Sequence, residues 1–142
     1  MFTGEYRHTV DDKGRVAVPA KFRQQLEDGA FVSDWIDACL AIFPRREFEA
    51  LAERVAHLSF TDAGARLLQR FLYGSTVEVD FDRQGRFVLP AHSRTWAGLE
   101  GDAVIVGARD HAEIWAPDRW TAYRREMESV DALAERLTGL GI

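Results

Sequence analysis

The sequence predicts an α+β, strand-rich fold in which two tandem copies of one small unit pack together. Three observations predict it: a motif that occurs twice, short strand patterns around glycine turns, and apolar residues at helical spacing. Each copy is too small to bury a good core alone, because small domains bury a small fraction of their surface. We therefore expect the copies to pack on each other and the chain to form a homo-oligomer.

The repeat is clearest when Arg15 is aligned with Arg86, an offset of 71 residues. The residues that then coincide are Asp11 with Asp82, Gly14 with Gly85, Val18 with Leu89, Pro19 with Pro90, Ala20 with Ala91 and Arg23 with Arg94. At an offset of 72 the coincident residues are Ile42 with Ile114, Phe43 with Trp115 and Phe48 with Trp120. We therefore divide the chain into two copies, residues 1–74 and 75–142.

Each copy has the pattern of a strand, a glycine turn, a returning strand, a short helix and two more strands. In the first copy these are residues 5–10, 11–14, 15–18, a helix from Pro19 that ends before Gly29, 31–35 and 39–43. In the second copy they are residues 76–81, 82–85, 86–89, a helix from Pro90, 103–107 and 112–115. Gly14 and Gly85 suit the turns because glycine takes a positive φ without strain. Each proline is expected at the first helical position, where a missing N–H forfeits no bond.

Apolar residues at helical spacing predict further helices after each copy. In the first copy one stripe is Phe48, Leu51, Ala52, Val55 and Leu58. A second helix, capped by Thr61 or Asp62, carries Leu67, Leu68, Phe71 and Leu72. In the second copy one stripe continues to near the C-terminus, through Trp120, Tyr123, Met127, Val130, Leu133 and Leu137. Such stripes form a core or a subunit interface more often than a cofactor site.

The composition argues against several classes of protein. Cys39 is the single cysteine, so no intrachain disulfide can form, and its apolar neighbours predict a buried thiol. No apolar run approaches the roughly 20 residues of a membrane helix, and the first residues lack a secretory signal. We therefore expect a cytoplasmic protein that does not bind a membrane. The four histidines lack metal-ligand spacing, and no catalytic motif is present, so we expect no enzyme, cofactor or metal.

Basic residues are concentrated around the first turn, although the chain has a net charge of -5. Residues 1–26 contain five bases and three acids, whereas residues 77–99 contain three of each. Because binding responds to the local field, the first copy is the better candidate to contact DNA and the second the better scaffold. The candidate DNA-binding residues are Arg7, Lys13, Arg15, Lys21, Arg23 and Arg86.

The turn over residues 11–15 suits DNA contact because the tip of a β-ribbon fits the major groove. Lys13 can neutralise a phosphate, and Arg15 can do the same or bind a guanine edge. Structural roles are also open: Asp11 and Arg15 can pair only to fix the turn. The pairing role is favoured for Arg86, and Lys21 and Arg23 can form a solvated helix face.

Several motifs together resemble the MraZ family over nearly the whole chain. They are Phe2-Thr3-Gly4-Glu5-Tyr6, Asp11-Asp12-Lys13-Gly14-Arg15, Val18-Pro19-Ala20-Lys21-Phe22-Arg23, and Glu113-Ile114-Trp115 followed by Asp118-Arg119-Trp120. The family belongs to the AbrB-like swapped-hairpin domains, which are marked by an Asp-x-x-x-Arg element in each copy. Here the elements are Asp11 to Arg15, with Gly14, and Asp82 to Arg86, with Gly85.

The resemblance implies a transcription regulator that binds repeated short boxes in double-stranded promoter DNA. The expected promoter lies upstream of the division and cell-wall gene cluster, which includes the regulator's own gene. The resemblance also implies association with the nucleoid and a ring-shaped homo-oligomer of about eight to twelve subunits.

One alternative is an antitoxin-like module, because swapped-hairpin domains also occur joined to an extended tail that inhibits a toxin protein. The patterned C-terminal helix, ending Leu140-Gly141-Ile142, argues against such a tail. An enzyme is the weaker alternative, since no constellation of catalytic residues is recognisable.

Overall fold

A computed structural model of the chain describes residues 1–141 and confirms the α+β, strand-rich fold class. The elements of its first half are β1 (Glu5–Thr9), β2 (Arg15–Ala17), α1 (Ala20–Gln25), β3 (Ala30–Trp35), β4 (Cys39–Pro44), α2 (Arg45–Ala56) and α3 (Ala63–Ser75). Those of its second half are β5 (Val77–Val79), β6 (Arg86–Val88), α4 (Ala91–Ala97), β7 (Asp102–Gly107), β8 (Ala112–Trp115), α5 (Pro117–Arg124), a 3-10 turn (Arg125–Met127) and α6 (Val130–Arg136). Because α3 ends at Ser75, it extends one residue beyond the limit that the sequence predicts for the first copy.

A six-stranded antiparallel sheet interleaves the two halves in the order β1-β7-β8-β4-β3-β5. β1 pairs with β7, from Glu5 opposite Val106 to Thr9 opposite Asp102. In the reciprocal exchange, β5 pairs with β3, and β4 pairs with β8 at the centre of the sheet. The first strand of each copy therefore completes the sheet of the other copy.

The returning strands β2 and β6 pair with each other and form a separate two-stranded ribbon. Its register places Arg15 opposite Val88, Val16 opposite Phe87 and Ala17 opposite Arg86. Each turn that leads into the ribbon is closed by its own backbone, since the Asp11 N–H donates to the Arg15 carbonyl and the Gly14 N–H to the Asp11 carbonyl. The ribbon consequently needs one strand from each copy.

A single hydrophobic core contains buried side chains from both copies and from both sheets. Its largest fully buried side chains come from both halves, with Phe22 and Leu26 in the first and Phe87 and Leu89 in the second. A smaller cluster contains Trp115, Trp120 and Cys39. Cys39 is buried as expected, and burial raises the pKa of its thiol, which leaves it a packing residue.

The helix starts largely follow the sequence. α1 and α4 begin one residue later than predicted, because Pro19 and Pro90 keep an extended ψ at the position before the first turn. Of the two candidate caps of α3, Asp62 is the one that the structure uses, and its side chain accepts a hydrogen bond from the Gly64 N–H at 2.8 Å. No helix within residues 1–141 combines the length and apolar character needed to cross a membrane.

The prediction of one continuous helical stripe at the C-terminal end is wrong. The chain forms α5, a 3-10 turn and α6, because Ser129 has extended backbone and its hydroxyl accepts from the Ala132 N–H to begin a new helix. Trp120 is buried and Tyr123 packs beside it, whereas Val130 is 81% exposed. The later apolar residues of the stripe therefore lie outside the core of this chain.

The loop between β3 and β4 contains a strained residue. Asp37 and Ala38 have φ values of 70° and 60°, in the left-handed region that residues with a Cβ seldom adopt. Arg119 fixes this loop from outside: its Nη1 donates to the carbonyl oxygens of Ala38 and Trp96 at 3.1 and 2.9 Å. The surrounding structure thus imposes the left-handed conformation on an alanine.

We predict that Ala38→Gly raises the free energy of unfolding by about 0.5–1 kcal/mol. Relief of left-handed strain, roughly 1–2 kcal/mol, outweighs the entropy that glycine adds to the unfolded chain. Chemical denaturation measures the change. The control is Ala50→Gly on the exposed side of α2, which should lower stability by about 1 kcal/mol. A less stable Ala38→Gly protein would contradict the assignment of strain.

Candidate nucleic-acid interface

The two-stranded ribbon brings both Asp-x-x-x-Arg elements to one surface. Val16 and Phe87 point into the core and are almost fully buried. Because side chains alternate along a strand, their neighbours lie on the opposite, outer face. We call this outer face, together with the two turns that lead into it, the ribbon face; it consists of Asp11–Gly14, Arg15, Ala17, Asp82–Gly85, Arg86 and Val88.

Asp11 holds both the first turn and the arginine that follows it. Its Oδ1 accepts hydrogen bonds from the backbone N–H groups of Lys13 and Arg15, at 3.0 and 2.8 Å. Its Oδ2 accepts from the Arg15 Nε at 2.6 Å. Within residues 1–141 the terminal nitrogens of Arg15 make no hydrogen bond, and 32% of the side chain is exposed. The aspartate therefore aims the guanidinium while leaving its outer donors for another molecule.

Asp82 and Arg86 reproduce this arrangement in the second copy. The Oδ1 of Asp82 accepts from the N–H groups of Gln84 and Arg86 at 2.8 and 2.9 Å, and its Oδ2 accepts from the Arg86 Nε at 3.2 Å. Arg86 is 31% exposed, and its Nη1 lies 3.8 Å from the Oδ2 of Asp11. The two elements thus meet; each arginine binds its own aspartate through Nε, and Arg86 lies near Asp11 as well.

The hydrogen bonds in both turns favour the ionised form of each aspartate. The Arg15 N–H bond is the main cause that lowers the pKa of Asp11, and the guanidinium of Arg15 adds to it. The Arg86 N–H bond lowers the pKa of Asp82 in the same way. Both aspartates therefore carry a negative charge at neutral pH and remain paired with their arginines.

Two further arginines pack against the glycines of the turns, and each comes from the opposite copy. Gly85 has a φ of 75°, and a Cβ built on it would lie 2.5 Å from the Arg23 Nη1. Gly14 has a φ of 78°, and a Cβ on it would lie 3.0 Å from the Arg94 Nε. The Nη1 of Arg23 also donates to the Val18 carbonyl at 3.1 Å. The position of Arg23 therefore favours support of the turn over direct contact with DNA.

The other basic residues that the sequence predicts are spread over different elements. Lys13 is exposed in the first turn, on the ribbon face itself. Arg7 is exposed on β1, which belongs to the six-stranded sheet. Lys21 is exposed on α1, and its ammonium lies 4.9 Å from the centre of the Tyr6 ring. The structure thus brings Lys13, Arg15 and Arg86 together on the ribbon face and places Arg7 and Lys21 on other elements.

The sequence prediction omitted two arginines that the structure associates with the turns. Arg83 is exposed in the second turn, where the first copy has Asp12. Arg94 packs on Gly14, and its Nε is buried without a hydrogen-bond partner among the described residues. The repeat already pairs Arg94 with Arg23, so the alignment contained the signal for a shared role.

Other chemistry has little support in the described part of the chain. Residues 1–141 contain no group of three or more histidine, cysteine or acidic side chains placed to hold a metal. His111 lies between Asp110 and Glu113, with ring nitrogens 2.7 and 3.1 Å from their carboxylates. Burial opposes its charge, but these hydrogen bonds prevail and raise its pKa. The ring also stacks on Phe43, so this histidine is part of the packing around the sheet.

The comparisons with known proteins agree over the full length of the chain. A family model described as "MraZ protein, putative antitoxin-like" matches residues 1–71 and again residues 72–140. The transcriptional regulator MraZ of Limosilactobacillus fermentum is 45% identical over 141 residues, which cover 99% of both chains. Proteins with the same name from Desulfitobacterium hafniense and Thermomicrobium roseum are 43% and 40% identical, and at least 99% of each chain is covered.

We predict that Asp11→Asn lowers the melting temperature at pH 7, because the amide cannot replace the carboxylate that binds the Arg15 Nε. Since the pKa of Asp11 is depressed in the folded state, its contribution is present above the ordinary value of 3.8 and is lost as the pH falls through the folded-state pKa. Thermal unfolding from pH 7 to pH 2 should show the two curves converging in acid.

The neighbouring Asp12→Asn is the matched control. Asp12 is exposed in the same turn and makes none of these hydrogen bonds, so its replacement should leave the melting temperature at pH 7 unchanged. A difference between wild type and Asp11→Asn that stays constant down to the lowest pH would show that the carboxylate charge does not stabilise the turn.

Proposed function

The chain belongs to the MraZ family, and from this premise we propose that it is a sequence-specific, DNA-binding transcription regulator that uses the ribbon face as its DNA contact surface. The observation that carries the proposal is the pair of arginines, Arg15 and Arg86, on one exposed ribbon. Each is held by an aspartate through Nε, and the terminal nitrogens of both make no hydrogen bond within residues 1–141.

The ribbon suits the major groove, which admits a two-stranded β-ribbon. An arginine fork can bind the O6 and N7 atoms of guanine or two phosphate oxygens. Because the aspartates fix the guanidinium groups before binding, less side-chain entropy is lost on contact. Lys13 and Arg83, one in each turn, are placed to neutralise phosphates on either side of the groove. Both copies thus contribute to the proposed interface, including the second copy, which charge counting favours as scaffold.

We propose that the target is the promoter upstream of the division and cell-wall gene cluster, including the chain's own gene, as the family resemblance implies. Location in the cytoplasm and association with the nucleoid belong to the same proposal. We also propose that the chain has no catalytic activity and needs no cofactor. Residues 1–74 and 75–142 remain the proposed limits of the two copies.

We propose a homo-oligomeric ring of about eight to twelve subunits as the active form. Two separate groups of exposed apolar residues support self-association: one around α2 and α3, with Phe60 78% exposed and Leu67, and one in the C-terminal part, with Val130 and Leu140. Two unlike surfaces on one chain can join head to tail, and such contacts form a ring when the rotation between successive subunits closes. One subunit offers few basic residues, so several subunits on successive boxes would gain affinity through effective concentration.

An antitoxin-like module that binds a protein partner is the second candidate function. The description of the matching family model contains this term, and α6 carries no buried residue that would tie it to the core. The two functions are separable, because a regulator binds its promoter as the pure protein. An antitoxin would instead form a fixed-ratio complex with a toxin through its C-terminal segment.

We predict that the wild-type protein binds a duplex from its own promoter with a steep salt dependence, because each neutralised phosphate releases counterions. Arg15→Ala and Arg86→Ala should each weaken binding about five- to 150-fold, since a bidentate arginine contact contributes roughly 1–3 kcal/mol. Fluorescence anisotropy across a salt series measures both effects. Arg54→Ala, on the exposed surface of α2, is the matched control and should bind like wild type.

The mass of each variant in solution distinguishes lost contacts from lost assembly. The proposal fails if wild type does not bind the promoter even at low salt. It also fails if both ribbon variants bind as tightly as Arg54→Ala.

We predict that replacing Phe60 and Leu67 together by serine lowers the native mass, because the change removes apolar surface from the proposed subunit contact. Light scattering coupled to gel filtration measures the mass. Ile36→Ser is the control: Ile36 is exposed in the β3–β4 loop, away from both apolar groups along the chain, and its variant should retain the wild-type mass. A double variant with the wild-type mass would place the subunit contact elsewhere.

A further inference from the structure

Val88 is an exposed apolar residue on the ribbon face, at the end of β6. Its side chain is 56% exposed, while its neighbours Phe87 and Leu89 are buried in the core. The register places Val88 directly opposite Arg15. Val88 and Arg15, the residue that the proposed function assigns to DNA, are therefore neighbours on the same face of the ribbon.

The repeat makes Val88 the counterpart of Ala17, which lies opposite Arg86. Each half of the ribbon has an arginine, but the apolar residues opposite the two arginines differ in size: a valine lies opposite Arg15 and an alanine opposite Arg86. One half thus presents a branched pair of methyl groups, and the other presents a single methyl close to the backbone. Together with the different charges of the two turns, Asp12-Lys13 in the first and Arg83-Gln84 in the second, this difference gives the surface a direction.

A β-branched residue suits a strand, which by itself would account for a valine here. In the major groove, however, an apolar side chain has a specific partner, because the C5-methyl group of thymine is the apolar feature of the base edges there. Residues opposite each other on a ribbon have Cβ atoms about 4.5–5.5 Å apart, and neighbouring bases are about 3.4 Å apart along a strand. A thymine one or two steps from the base bound by Arg15 would therefore be within reach of Val88.

We propose that Val88 is a specificity-determining residue that packs on the C5-methyl group of a thymine in the bound DNA. The proposal rests on the proposed function, since it requires the ribbon face to enter the major groove. Because the single methyl group of Ala17 lies closer to the backbone and offers a smaller contact, each ribbon favours one orientation of its box.

The test removes the methyl group from the DNA. In the shortest promoter duplex that the wild-type protein protects, each thymine is replaced in turn by deoxyuridine, which lacks only the C5-methyl group. We expect wild type to lose about three- to tenfold in affinity at one thymine of a box, the effect of one buried apolar contact. Val88→Ala should lose a similar factor on the unmodified duplex and should not respond to deoxyuridine at that thymine.

Two controls isolate the contact. Ile36→Ala also shortens an exposed β-branched side chain, at a position outside the ribbon face and outside both apolar groups proposed for self-association, and should leave binding unchanged. The salt slope of Val88→Ala should equal that of wild type, because a contact with a methyl group releases no counterions. The deoxyuridine series with wild type needs no variant, so it tests the contact even if Val88→Ala does not fold.

The inference is overturned if wild type binds the promoter but its affinity does not fall when any thymine is replaced by deoxyuridine. It is also overturned if Val88→Ala and wild type lose the same factor in affinity when that thymine is replaced by deoxyuridine. In both cases the proposed function stands, provided that Arg15→Ala weakens binding. A wild-type protein that ignores the promoter overturns the proposed function and this inference together.

Discussion

The first strand of each copy forms its backbone hydrogen bonds with a strand of the other copy. β1 pairs with β7 and β5 with β3, so neither copy can satisfy its backbone groups by folding alone. The exchange brings both returning strands to the same place, where β2 and β6 pair. It also places Phe22 and Phe87, one from each copy, in a common core. The two copies consequently fold as one unit.

The same exchange creates the candidate DNA surface. A single copy has one Asp-x-x-x-Arg turn and half of a ribbon, whereas the pair has two turns whose charged groups meet, with Arg86 close to Asp11. Each turn glycine is then covered by an arginine from the opposite copy, Arg23 on Gly85 and Arg94 on Gly14. A change in the core that separates the copies would therefore loosen the proposed interface as well.

Local signals in the sequence predicted the local structure. The two glycine turns, the helices after Pro19 and Pro90, and the repeat itself follow from residue types and spacing. Strand partners could not be predicted in this way, because alternation specifies which face of a strand is buried and not which strand lies beside it. The break at Ser129 was missed because helical spacing continues through it, while the serine hydroxyl competes for the backbone.

In the candidate site, too, the sequence predicted the local motif but not the contacts between residues far apart in the chain. The motif identified Asp11, Arg15, Asp82 and Arg86, and the structure brings all four together. The net charge of each copy favoured the first copy as the one that contacts DNA. Net charge contains no information on geometry, and in the structure Arg15 and Arg86 each bind an aspartate through Nε and are exposed to a similar extent. The contact of Arg23 with Gly85 joins residues far apart in the chain, so no local pattern contains it.

The proposed DNA surface is the ribbon face, with contacts from both copies. It can be tested by photo-crosslinking a halogenated promoter duplex to the wild-type protein and mapping the linked peptides by mass spectrometry. Crosslinks are expected in residues 11–18 and in residues 82–89 of the same chain. Crosslinks confined to α2, α3 or the C-terminal segment would contradict it, because DNA would then lie on a surface that neither Asp-x-x-x-Arg element reaches.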